Sequence, residues 1–223
     1  MLDISNIHKA YHHKKVLEKI DFSAKPGEII GLVGENGAGK STLLSILATL
    51  LQPDEGTIQL YGKNSNTDRA VYRQMIGYVP QDLALWESLT VKENMLFFEK
   101  LSWKRKSETA LRSLCQQLQL DLWKEKVHTL SGGQKRKLNL AISLIHEPKL
   151  LLLDEPTVGI DMRSKQEITS YLQQLASQKQ TIILYISHDM EELRTLCHSI
   201  CCIGKDSFYR DFLASVNKPI IAF

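Results

Sequence analysis

The loop Gly34–Thr42 carries the residue types that bind phosphate. Its sequence contains the G-x-x-x-x-G-K-[ST] pattern between a strand-like apolar run and a helix-like run. Glycines lack a Cβ, so backbone N–H groups can approach phosphate oxygens at Gly34, Gly37 and Gly39. Lys40 would bring a positive charge to the β and γ phosphates, and the Ser41 hydroxyl would ligate Mg²⁺. The loop predicts a nucleoside triphosphate site, and a turn that binds nothing is the alternative.

Two adjacent carboxylates follow a run of four leucines. Leu150–Leu153 is apolar without interruption, which indicates a strand buried on both faces, and it ends in Asp154 and Glu155. Open α/β sheets bind ligands at the carboxyl ends of their strands. We therefore expect Asp154 to bind Mg²⁺ through water and Glu155 to polarise a water molecule, with purely structural carboxylates as the alternative.

Single polar or aromatic residues at three other strand ends allow two interpretations each. Gln81 follows a predicted strand at 75–80 and would contact a metal-bound water, or lie on the surface. His188 follows a predicted strand at 181–186 and would donate to a γ phosphate, or be structural. Tyr11, between two early strands, would stack on a nucleobase, or simply pack.

A second glycine pair opens another predicted helix. Ser131 resembles an N-cap, and Gly132 and Gly133 would expose backbone donors to an anion before Gln134. The segment is either a second phosphate-recognition element or an ordinary helix cap.

Short strands and helices alternate around these residues. Alternating apolar residues predict strands at 2–7, 16–22 and 57–61, and a helix is predicted at 163–177. From 87 to 122 no glycine or proline occurs, and helical spacing predicts an inserted helical segment that opens with a capping box at Thr90 and Glu93.

An apolar, aromatic-rich group begins just before this insert. It would form core or, where exposed, a docking patch, and its members are Leu83, Leu85, Trp86, Leu89, Phe97 and Phe98.

Composition is that of a globular chain, and the length allows one large domain or one domain with an inserted subdomain. Of 223 residues, 43% are hydrophobic and 24% charged, and the net charge is +3, so we interpret the basic clusters 14–15 and 135–137 as solvated faces. The four cysteines form no C-x-x-C pair, which suggests a reducing cytoplasm. We find no leader and no apolar run of about 18 residues, so we expect a partner to supply any membrane contact.

Taken together, these motifs resemble the ATP-binding subunit of an ATP-binding cassette (ABC) transporter. Leu130-Ser-Gly-Gly-Gln134 resembles the family signature, between a Walker A loop and a Walker B strand. The resemblance implies an α/β fold: a P-loop NTPase with a RecA-like parallel-sheet core, an N-terminal antiparallel β subdomain and an inserted α-helical subdomain. It implies one ABC domain over 1–223, with the β subdomain and core at about 1–83 and 143–223 and the helical subdomain at about 84–142.

The resemblance also implies roles for single residues. It makes Glu155 the general base, His188 the switch histidine, and Gln81 a sensor of both metal and membrane partner. Asp161 matches the dimer-contact loop, and Tyr11 the adenine platform. ATP and Mg²⁺ are the implied ligands; nucleotide-site positions are Tyr11, Gly34, Asn36, Gly37, Gly39, Lys40, Ser41, Thr42, Ser131, Gly132, Gly133, Gln134 and Asp161, and metal positions are Ser41, Gln81 and Asp154.

Residues 134–138 and 158–161 most resemble exporters of the drug, antibiotic or bacteriocin-immunity type. The implied partners are a separately encoded transmembrane permease and a second ATP-binding subunit, with the chain on the inner face of the cell membrane. A non-transport ABC ATPase acting on ribosomes or DNA is the alternative, although such relatives usually carry two cassettes or a long coiled coil. The segment Phe208 to Phe223 departs from the family pattern.

Overall fold

The computed structural model describes residues 1–12, 14–204, 206, 208–209 and 218–222. Most of the atypical segment Phe208 to Phe223 therefore lies outside the described residues.

An antiparallel sheet of four strands, in the order β2-β1-β4-β5, contains the N-terminal part of the chain. Its strands are β1 Leu2–Tyr11, β2 Lys14–Ala24, β4 Glu55–Leu60 and β5 Lys63–Asn64. The alternation that predicted the first two strands is confirmed, since Leu2, Ile4 and Ile7 are buried. Both strands extend further than predicted, and Tyr11 is the last residue of β1.

A parallel sheet of six strands, in the order β10-β9-β3-β8-β7-β6, lies at the centre. Its strands are β3 Ile29–Val33, β6 Ile76–Val79, β7 Leu150–Asp154, β8 Ile182–Ile186, β9 Ser199–Cys202 and β10 Ile220–Ala222.

The central strands are apolar throughout because the two faces of the sheet pack into two separate cores. In β7, Leu151 and Leu153 belong to one core, and Leu150 and Leu152 belong to the other, which is shared with the antiparallel sheet. The prediction of a strand buried on both faces is confirmed, because all five residues of β7 are buried.

Seven α-helices and one 3₁₀ turn are described. The helices are α1 Lys40–Leu47, α2 Arg69–Gln74, α3 Val91–Leu101, α4 Glu108–Gln117, α5 Gly132–Ser143, α6 Met162–Lys179 and α7 Met190–Leu196, and the 3₁₀ turn is Val127–Thr129. The capping box predicted at Thr90 and Glu93 is present. Leu101, the last residue of α3, is 67% exposed.

Helices α3, α4 and α5 lie between β6 and β7 in the chain and contact one another. They occupy the stretch predicted as a helical subdomain, and the proposed division at 84–142 stays a prediction. Within the described residues, no helix combines the length and apolarity needed to cross a membrane. The four cysteines are buried and are not joined in disulfide bonds: Cys115, Cys197, Cys201 and Cys202.

Candidate active site

The predicted site residues follow neighbouring strands of the parallel sheet. Strands β3, β8, β7 and β6 are adjacent and run in one direction, so their carboxyl ends share one edge. The glycine loop, His188, Asp154 and Gln81 therefore meet at that edge.

The loop between β3 and α1 brings its backbone close to other parts of the chain. Gly34 has φ 149°, and a Cβ there would overlap the Ile203 carbonyl oxygen, so only glycine fits. Gly39 is the N-cap of α1, where Lys40 begins the helix as predicted. The N-terminus of α1 therefore points its free N–H groups and its positive dipole end into the loop.

The ammonium group of Lys40 is buried and turned back into the loop. Its Nζ donates to the carbonyl oxygens of Gly34 at 2.7 Å and Glu35 at 3.1 Å. Burial lowers the pKa of Lys40, and the carboxylates of Glu155, Asp154 and then Glu35 oppose that shift. A buried cation whose hydrogen bonds, among the described residues, run to two carbonyl oxygens is suited to a phosphate group.

The Ser41 side chain is close enough to Asp154 to affect its titration, although the two residues are 113 positions apart in the sequence. Burial raises the pKa of Asp154, and a hydrogen bond from the Ser41 side chain opposes the shift. A hydroxyl and a carboxylate in contact offer two hard oxygen ligands to one divalent cation.

Glu155 contacts two of the other predicted site residues. Its Oε1 lies 2.9 Å from His188 Nε2, and its Oε2 accepts a 3.2 Å hydrogen bond from Gln81 Nε2. Its φ is 49°, a left-handed conformation that costs a non-glycine residue about 1–3 kcal/mol and clusters at functional sites. The structure thus brings together three residues predicted from three separate strand ends.

Tyr11 is the last residue of β1, at the end of the β1–β2 pair where the chain passes from one strand to the next. Its ring is 45% exposed, and Lys9 Nζ lies 5.8 Å from the ring centroid. Tyr11 pairs with Lys14, which lines a cavity of about 380 Å³ beside the phosphate loop together with Asn36 and Gly37. The ring is accessible for stacking, and its contact with a base stays a prediction.

The glycine pair lies where two helices begin. Ser131 caps α5 in a reciprocal capping box with Gln134, and Asp161 caps α6 by accepting from Ser164. A Cβ on Gly133 would overlap the Ser164 side chain, whereas a Cβ on Gly132 would meet nothing closer than 3.8 Å. The predicted N-cap at Ser131 is confirmed.

Among the described residues, the side chains of the signature segment form no hydrogen bond with the phosphate loop. Across the described part of the chain, the side-chain hydrogen bonds of Ser131, Gln134 and Asp161 run to the starts of their own helices. The exposed Gly132 therefore leaves the start of α5 open to a group from outside the chain.

The sequence pattern of the family described as "ABC transporter" matches residues 17–158. The chain belongs to this family. It is 42% identical over 208 residues to the linearmycin resistance ATP-binding protein LnrL of Bacillus subtilis, covering 92% of this chain and 67% of the relative. It is 40% identical over 208 residues to the Nod factor export ATP-binding protein I of Burkholderia orbicola, covering 91% and 67%. The chain thus spans about two thirds of each relative.

Solved structures of ABC cassettes share the fold. A dimeric post-hydrolysis cassette bound to ADP and Pi superimposes with a TM-score of 0.80 at 26% identity, over 91% of this chain and 94% of that chain. Structure cbiO1 of Clostridium perfringens, part of an ABC transporter complex, gives 0.80 at 28% identity, over 91% and 84%. The chain is therefore an ABC ATPase with the P-loop NTPase fold.

The basic cluster of this ABC ATPase is not the solvated face that we predicted at 135–137. Arg136 Nη1 donates to the Gln81 carbonyl oxygen at 2.5 Å, and burial lowers the pKa of Arg136. Lys137 is buried in an ion pair with Glu167 of α6. The interpretation was wrong because these partners are distant in sequence. The hint at burial was the helical periodicity, which places Lys137 beside Leu140 and Ala141.

Proposed function

We propose that this ABC ATPase hydrolyses Mg²⁺-bound ATP to power export through a separately encoded membrane protein. The observation that carries the hydrolytic part is the convergence of His188 and Gln81 on Glu155, at the strand edge that holds the phosphate loop. The names of the two relatives, one for resistance and one for export, support the direction of transport.

Each residue would contribute a separate part of the chemistry. Glu155 accepts the proton of the attacking water, and His188 donates a hydrogen bond to the γ phosphate. Gln81 orients the water, and Lys40 exchanges its two carbonyl contacts for phosphate oxygens. Bound Mg²⁺ would neutralise charge on the phosphates, held by Ser41 and, through water, by Asp154.

We propose that a second ATP-binding subunit completes each site. The N-terminus of α5 carries backbone donors that the phosphate loop of its own chain does not use. A helix N-terminus with exposed Gly132 suits a γ phosphate held by the partner. The dimeric ADP- and Pi-bound cassette supports this arrangement.

The membrane partner would dock on the exposed part of the aromatic group. Leu83, Trp86 and Phe97 are exposed there, and Trp86 packs edge-on against Phe97 with ring centroids 5.8 Å apart. Exposed apolar clusters of this kind mark interaction surfaces. Docking would place the chain on the inner face of the membrane.

A mixed dimer tests where the site is completed. One subunit carries Lys40→Ala and the other Ser131→Arg, with different affinity tags to isolate the mixed species. If sites form between chains, both lesions fall in one site, and the other site is intact. If sites form within one chain, every site contains a lesion.

We therefore expect mixed dimers to trap ATP, although each parent variant alone does not. Nucleotide trapping is the readout because cooperation between sites can suppress turnover. Mixed dimers that trap no more nucleotide than the two parents would contradict the shared site.

A further inference from the structure

A buried carboxylate that none of the motifs contains lies directly behind the hydrolytic residues. Glu192, in the first turn of α7, is only 4% exposed. Its Oε2 accepts hydrogen bonds from Ser187 Oγ at 2.7 Å and from Thr157 Oγ1 at 3.0 Å. Its Oε1 is also buried and has no hydrogen-bond partner among the described residues.

The two donors belong to the two segments that carry the hydrolytic pair. Thr157 lies two residues after Glu155, and Ser187 immediately precedes His188. On the nucleotide side, these two segments are joined by the 2.9 Å contact between Glu155 and His188. On the buried side, the Glu192 carboxylate joins the same two segments.

Further hydrogen bonds limit how these segments can move. The Thr157 hydroxyl lies 3.0 Å from the Tyr185 hydroxyl, on the strand that leads to Ser187. Asp189 caps α7 by accepting from Glu192 N at 3.1 Å, and the Asp189 N–H donates to Ser187 Oγ at 3.1 Å. Linked hydroxyl and carboxylate groups of this kind favour one arrangement over its neighbours.

Packing alone does not account for a carboxylate at this position. The nearest cation, Lys165 Nζ, is 4.0 Å from Oε2 and is itself paired with Asp189. Burying a carboxyl group with an unpartnered oxygen costs stability compared with an apolar side chain of the same size. A carboxylate at this position therefore lowers the stability of the fold, and its hydrogen bonds fix the position of Thr157 and Ser187.

We propose that Glu192 is a positioning residue for ATP hydrolysis. By joining Thr157 to Ser187, its carboxylate holds the general base and the switch histidine in a fixed position relative to each other. The inference rests on the proposed function, because it requires Glu155 and His188 to act together.

The test compares two replacements of nearly equal size. Glu192→Met removes both acceptor oxygens, whereas Glu192→Gln keeps one acceptor for Thr157 and Ser187. We expect Glu192→Met to lower kcat by about tenfold to a hundredfold, with the ATP dissociation constant within about twofold of wild type. Glu192→Gln should retain most of the wild-type kcat.

A spectroscopic readout separates positioning from a general loss of stability. The NMR signals of the His188 imidazole, assigned with His188→Ala, should move in Glu192→Met at fixed pH and stay in place in Glu192→Gln. Leu196→Ala, which removes buried contacts of α7 outside the network, is the control: it should lower stability without moving those signals.

A folded Glu192→Met protein with wild-type kcat would overturn the proposal, as would a lower kcat with unmoved His188 signals. If that variant does not fold, Thr157→Val and Ser187→Ala decide, since each removes one donor. A lower kcat together with moved His188 signals in these two variants would support the proposal, and wild-type values of both would overturn it. The proposed function has a separate test: it fails if Glu155→Gln hydrolyses ATP normally. The His188 signals are measured without nucleotide, so they do not depend on that result.

Discussion

At the scale of single residues, the site depends on a side chain whose backbone is strained. Glu155 adopts φ 49°, and its N–H donates to the Ile186 carbonyl oxygen of the neighbouring strand at 3.1 Å. The bond extends the pairing of β7 with β8, and the positive φ then turns the chain, with the Glu155 carboxylate facing His188 and Gln81. The conformation is a cost that the surrounding sheet must offset.

Glu155→Gln keeps the shape of the side chain and removes its basicity. We expect turnover to fall roughly 10²-fold or more while ATP still binds, because the loss is confined to proton transfer. Steady-state hydrolysis and equilibrium nucleotide binding by the purified protein measure the two effects. Glu125→Gln, at an exposed position, is the matched control, and near-normal hydrolysis by Glu155→Gln would rule out the assignment.

At the scale of secondary structure elements, the glycine pair shows two different constraints. Gly133 packs on α6, where an added Cβ would lie 2.5 Å from Ser164 Cβ. A Cβ on Gly132 would make only ordinary van der Waals contacts, at 3.8 Å from the Gly159 carbonyl oxygen and 4.0 Å from Ile160. Packing within the chain requires a glycine at position 133, whereas Gly132 leaves the start of α5 accessible.

Replacing each glycine with alanine separates these constraints. Gly133→Ala should lower the free energy of unfolding by about 1–3 kcal/mol, since two helix starts must separate to admit the methyl group. Gly132→Ala should change it little. Chemical denaturation measures both, and Ser164→Gly should restore part of the loss in Gly133→Ala. Equal stabilities for the two alanine variants would contradict this packing argument.

Periodicity and motif spacing predicted the elements that are long or buried. The leucines of β7 and the caps at Thr90 and Ser131 are local signals, and the structure confirms them. Strand β10 was not predicted, because three residues pairing with β9 carry no pattern of their own. Contacts such as that between Arg136 and Gln81 depend on chain segments that only the tertiary fold brings together.

At the scale of the whole molecule, the exposed aromatic surface is held on a rigid base. The buried Asn94 side chain accepts from the Trp86 N–H at 2.9 Å and donates to the Trp86 carbonyl oxygen at 3.0 Å. The backbone is thus fixed by α3, and the 53% exposed Trp86 ring projects from it. A change of this side chain should leave the local backbone intact.

Trp86→Glu should therefore abolish assembly with the membrane partner and transport, while basal ATPase activity stays within about twofold of wild type. A charge in an apolar interface is strongly unfavourable. Copurification with the partner and transport in vesicles measure the effect. Trp103→Glu, at a ring that is 59% exposed outside the Trp86–Phe97 pair, is the control. Normal assembly of Trp86→Glu would place the docking surface elsewhere.

The buried cysteines make the native chain a convenient background for site-directed labelling. Burial raises the pKa of Cys115 and of Cys197 to about 12, and it raises that of Cys201 as well. Because the thiolate is the reactive form, maleimides at neutral pH should leave these side chains unmodified in the folded protein. A single cysteine introduced at the exposed Met162 can then carry a spin label, and the distance between two labels would test the proposed approach of two chains during turnover.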